Sequence, residues 1–145
     1  MISISEKVNS MRIKITKIKD SPEYTIVQFE HNDGIKTAQG AGKWLSKKPP
    51  LLDCYYDIEI DISQSLEQLL VSSEKVEHDF NFQINENQVK MTGYVDSIDH
   101  DNMLYFRVAD SCLIMLEAGN KRVNIGQWLA LTIATGKVEI FGQKI

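Results

Sequence analysis

The residue order predicts a mainly β protein made of small antiparallel barrels. Three observations carry that expectation: apolar residues recur at every second position, turn residues interrupt them at short intervals, and one segment alone has helical spacing. Successive side chains on a strand point to opposite faces, so a period of two marks strands buried on one side.

The pattern is clearest from Gln88 onward. Val89, Met91 and Val95 share one parity, with Gly93 among them where a barrel strand can bend sharply. Asp99-His100-Asp101-Asn102 reads as a turn, after which Leu104, Phe106 and Val108 alternate with Met103, Tyr105, Arg107 and Ala109. Cys112 to Leu116 is apolar on both parities and stops at Glu117-Ala118-Gly119-Asn120. Trp128 to Ile133 and Val138 to Phe141 follow, separated by Gly136. Five strands with connections this short suit an OB-like or SH3-like barrel over 86–145.

The first half repeats the theme. Met11, Ile13 and Ile15 alternate with Arg12, Lys14 and Thr16, giving a surface strand with one apolar and one basic face. Asp20-Ser21-Pro22 leads into Tyr24 to Phe29, and Asn32-Asp33-Gly34 is a hairpin signal between that strand and Ile35 to Ala38. Gly40 to Asp53, rich in Gly, Lys and Pro, reads as a loop. Tyr56, Ile58, Ile60 and Ile62 form one face of a strand whose other face carries Asp57, Glu59 and Asp61. Ser63 to Val71 is the helix candidate, with Ser63 or Ser65 as cap and Leu66, Leu69 and Leu70 at helical spacing. A strand with Val76, His78, Phe80, Phe82 and Ile84 on one parity ends at Asn85-Glu86-Asn87. The layout expected is two barrel-like domains, 2–85 and 86–145, with one compact β domain over 1–145 as the alternative.

Composition narrows the function classes. In 145 residues, 43% hydrophobic and 25% charged side chains fit a globular protein rather than a disordered chain. The longest apolar runs, such as Leu113 to Leu116, fall far short of the roughly 20 residues of a membrane helix, and the stretch Met1 to Glu6 lacks a basic segment followed by an apolar one. Cys54 and Cys112 lie in or beside apolar segments, as small buried hydrophobes do. The expectation is a cytoplasmic protein with reduced thiols, no membrane association and no cofactor.

Charge placement gives the functional argument its start. Residues 1–50 hold nine Lys/Arg against five Asp/Glu, and residues 51–145 hold seven against fifteen. An acidic majority argues against general nucleic-acid binding, which relies on a basic face. Asp57, Glu59 and Asp61 place three carboxylates on one strand face at intervals of about 6.5–7 Å. The ordinary reading is a solvated strand that resists edge-to-edge aggregation, and the functional one is a docking stripe for a basic partner. One metal ion is poorly served, because a straight strand holds the three too far apart.

Other constellations specify less. His31, His78 and His100 each neighbour acids, but no Cys or His pair stands at ligand spacing, and neither cysteine sits in a reactive context, so no metal site and no catalytic residue is assigned. Gly40-Ala41-Gly42-Lys43 lacks the first Gly and the final Ser or Thr of a phosphate-binding loop. Lys43, Lys47 and Lys48 beside Trp44, or a face with Tyr105 and Arg107, combine cations with aromatic rings as single-stranded nucleic-acid sites do.

Small size, acidic balance and the lack of a catalytic constellation resemble the bacterial immunity proteins and antitoxins. That resemblance implies a neutralising protein interface, often acidic because many toxins are basic nucleases. The leading expectation is thus a non-enzymatic binding module whose Asp57, Glu59 and Asp61 steer a basic toxin or nuclease domain while Tyr55 supplies an aromatic anchor. The alternative is a single-stranded nucleic-acid-binding OB-fold protein using Lys43, Trp44, Lys47, Lys48, Tyr105 and Arg107.

Overall fold

The computed structural model describes residues 11–145, so the expected domain start at residue 2 and the stretch Met1 to Glu6 lie outside the described residues. Eleven strands follow: β1 (Met11–Asp20), β2 (Thr25–Asn32), β3 (Thr37–Trp44), β4 (Tyr55–Ile62), β5 (Leu70–Ser72), β6 (Asn81–Asn85), β7 (Gln88–Ile98), β8 (Met103–Ala109), β9 (Cys112–Glu117), β10 (Trp128–Ala134) and β11 (Val138–Lys144). The mainly β expectation holds.

Strands β1, β2, β3, β11 and β4 close into a five-stranded barrel, because β4 pairs with β1 as well as with β11. All its contacts are antiparallel except the short parallel one between β3 and β11. The alternation of apolar residues turns Ile13, Phe29, Ile58 and Ile140 inward, and each is at most 1% exposed. A second group, β5, β10, β7, β8 and β9 with β6 on the flank of β7, joins the barrel where Asp61 of β4 pairs with Met115 of β9. Leu104, Phe106, Ile114 and Leu131 extend the same apolar cluster into that layer.

Several local expectations change. The five C-terminal strands exist, but they do not form one barrel: β11 leaves the other four and completes the barrel begun by β1 to β4. A boundary at 85/86 would part β11 from both strands it pairs with. The helix expected over 63–71 reduces to a single 3-10 turn, Leu66–Gln68, in which the Gln68 side chain accepts the Ser65 backbone N–H at 2.9 Å. Helix nucleation is unfavourable in so short a stretch, and pairing of β5 with β10 captures Leu70 to Ser72 instead. The strand expected from Val76 begins only at Asn81. His78 and Phe80 turn to an aromatic cluster in which His78, itself exposed, stacks on Trp128 at 5.2 Å and Phe80 meets Tyr94 at 5.7 Å.

The segment read as a loop from Gly40 is strand as far as Trp44, because a barrel interior needs small residues beside large ones. A Cβ at Gly40 would meet the Phe29 ring, and one at Gly142 would meet the Trp44 indole. Gly93 has a related role. It lets the Arg107 carbonyl of β8 approach so closely that a Cβ there would overlap the carbonyl oxygen; a register irregularity in that pairing lies further on, between Val95 and Ser97. The obstacle is backbone, which cannot rotate away as a side chain does. Gly93→Ala is therefore expected to destabilise the fold by about 3 kcal/mol, measured by urea denaturation; a change within experimental error would refute this account of β7.

Candidate protein-docking face

The carboxylate stripe sits where the alternation places it. Along β4 the even-numbered residues are buried, while Tyr55, Glu59 and Asp61 are exposed and Asp57 is half-buried. Neighbouring strands decide what surrounds them. On one side Arg12 of β1 lies opposite Asp57, with its Nε 3.4 Å from Oδ1, and Lys14 lies opposite Tyr55. On the other side β11 sets Gln143 opposite Asp57, Phe141 opposite Glu59 and Glu139 opposite Asp61.

Two features of that register shape the outer face. Glu139 adds a fourth carboxylate directly across from Asp61, where like charges repel, and has Lys43 of β3 opposite it on the other side. Phe141, which is 39% exposed, gives the acidic row an apolar neighbour at its middle, while Met115 of β9 gives another beside Asp61. With Tyr55 at 53% exposure, the face presents three large apolar side chains around four carboxylates. Among the described residues Arg12 is the one cation bonded to the row. Sequence reading missed Glu139 and Phe141. Their outward parity was legible in Val138 to Phe141, but the pairing of β11 with β4 joins residues about eighty positions apart and leaves no local signal.

The nucleic-acid candidates are not brought together. Trp44 turns into the barrel at 7% exposure, packs edge-on against Tyr56 at 5.0 Å, and donates its Nε1–H to the Lys48 carbonyl at 2.8 Å. It therefore offers no ring face to a base, which corrects that expectation. Lys47 and Lys48 are exposed, whereas Lys43 lies over the Tyr24 ring at 5.5 Å. On β8, Arg107 is held by Asp96 at 3.4 Å and donates to the Asp110 carbonyl at 2.9 Å. Tyr105 donates its hydroxyl to Asp99 at 3.2 Å, a bond that raises the phenol above its ordinary range. The Met103 backbone N–H in turn holds the Asp99 carboxyl below the usual carboxylate range. Both β8 side chains are thus tied to local acids.

Histidines and thiols are similarly placed in structural settings. His31 Nδ1 lies 2.9 Å from the Arg12 carbonyl, and His100 is exposed beside Asp101. Among the described residues no three His, Cys, Asp or Glu side chains converge as metal ligands do. Cys54 is half-buried; Cys112 is fully buried, which pushes its thiol up to about 12. No protein family, curated protein or solved structure matches the chain.

Two outcomes follow from these environments. Replacing Asp61 with Asn removes the repulsion opposite Glu139 while leaving Lys43 of β3 beside Glu139, so chemical denaturation should show stability raised by roughly 0.5 kcal/mol; an unchanged or lowered value would mean the two carboxylates do not feel each other. Thiolate is the reactive form of cysteine, so a maleimide at neutral pH should leave Cys112 unlabelled in the native protein and reach it only on unfolding, as read by mass spectrometry.

Proposed function

We propose that the protein is a non-enzymatic binding module, of the immunity or antitoxin kind, that docks a basic partner protein through the outer face of β4 and β11. The observation that carries this reading is the outward row of Asp57, Glu59 and Asp61, extended by Glu139 opposite Asp61 and interrupted by the exposed ring of Phe141. An exposed acidic row steers a basic partner during approach, and Phe141, Tyr55 and Met115 supply contacts that exclude water after docking. The closed barrel, read as OB-like from the parallel contact of β3 with β11, holds these side chains on strands rather than loops, which favours a preformed interface.

The kinetic test uses a partner recovered by affinity capture at low ionic strength and then purified. Its association rate with the parent should fall steeply as salt is added, and the variant carrying Asp57→Lys, Glu59→Lys and Asp61→Lys should associate at least about tenfold more slowly at low salt. Phe141→Ala should instead speed dissociation by roughly tenfold without altering the salt dependence. Equal association of parent and triple variant at every ionic strength would reduce the row to a solvated surface.

A further inference from the structure

A second surface lies away from the carboxylate row. A groove of about 820 Å³ runs over the outer face of the second strand group, floored by β6, β7, β10 and β5 and walled by Thr37 and Gln39 of β3. Its volume falls within the range of small-ligand sites. Lys90 is the one charged residue in the lining, and the nearby Lys36 is held by Asp79 at 2.7 Å. A phosphate-bearing ligand would meet too little positive charge there, and an apolar one would meet little beyond Leu70 and Ile84.

The hydrogen-bonding groups of the groove form a grid rather than a line. One row crosses four strands as Gln83, Lys90, Thr132 and Leu70, each directly opposite the next in register. A shorter row sets Asn85 opposite Gln88. Cross-strand neighbours are about 5 Å apart and same-strand neighbours about 6.5–7 Å, so donors and acceptors repeat in two directions. Among the described residues the amides of Gln39, Gln83, Asn85 and Gln88 bond no other protein group, so all four are free to meet a ligand from the groove.

We infer that this groove binds a neutral oligosaccharide. Sugar rings carry hydroxyls around their whole periphery, each able to donate and accept, and an amide side chain can meet two neighbouring hydroxyls at once. A two-dimensional field of uncommitted amides with two threonine hydroxyls and one ammonium matches that display, and Leu70 at 70% exposure offers an apolar contact for the C–H face of a ring. An extended peptide presents its polar groups along its two edges, and so would use one row and leave the other idle.

The test titrates 15N-labelled full-length protein with maltohexaose, cellohexaose and hexa-N-acetylchitohexaose, with oligothymidylate and an end-capped polar hexapeptide as further arms. At least one hexasaccharide should shift the backbone and side-chain amide signals of the groove saturably, with a Kd on the order of 0.1 to 1 mM. Gln83→Ala should weaken that binding roughly tenfold, and Gln39→Ala on the opposite wall provides an independent check. The triple β4 variant should bind the sugar as the parent does, which separates this groove from the protein-docking face. Absence of saturable shifts with all three sugars, shifts confined to another surface, loss of sugar binding in the folded triple variant, or groove binding by the oligonucleotide or the peptide alone would each overturn the inference.

Discussion

Seven residue pairings between β11 and β4, from Val138 with Ile62 to Lys144 with Tyr56, turn what would be an open sheet into a barrel. Without them β4 and β11 would each present an unpaired edge, and the apolar inner residues Ile58, Ile60 and Ile140 would lose their shared enclosure. The same pairings fix the surface. Because side chains alternate strictly, the register that buries Ile140 beside Ile60 also sets Phe141 beside Glu59 and Glu139 beside Asp61. Core and acidic face are two sides of one alignment.

Much of the fold was legible because period-two patterning is a local signal. The strand carrying Tyr56, Ile58, Ile60 and Ile62 was found with its acidic face outward, and the turn at Asp99 to Asn102 was found from its polar residues. Expectations failed where a distant neighbour decides the outcome. Gly40 and Gly42 look like loop residues until the bulk of Phe29 and Ile140 behind them is known. Leu69 and Leu70 keep helical spacing with Leu66, yet β10 offers backbone partners that a lone helical turn cannot match. His78 and Phe80 keep strand parity with Phe82, but Trp128 and Tyr94 draw their rings out of the ladder.

The site was legible in part for the same reason. Asp57, Glu59 and Asp61 were visible as a row, while the Arg12 contact, the opposing Glu139 and the central Phe141 arise from strands elsewhere in the chain. Trp44 shows the reverse case: next to lysines in sequence it looked like a stacking platform, and the barrel interior claims its ring instead. Composition identifies which residues are available for recognition, and strand order decides which of them stand together.

The position of β11 also constrains how the molecule comes into being. The strands it joins, β3 and β4, are completed by Ile62, and the whole second strand group is then made before Val138 to Lys144 appear. Through that interval the nascent polypeptide carries a gap in its cylinder, so closure is a late, long-range event, of the sort that slows assembly of β topologies and leaves sticky flanks open to other chains in the meantime. Short polar flanking strands, such as β6 with its Asn81, Gln83 and Asn85, reduce that hazard while the seam waits to be sealed.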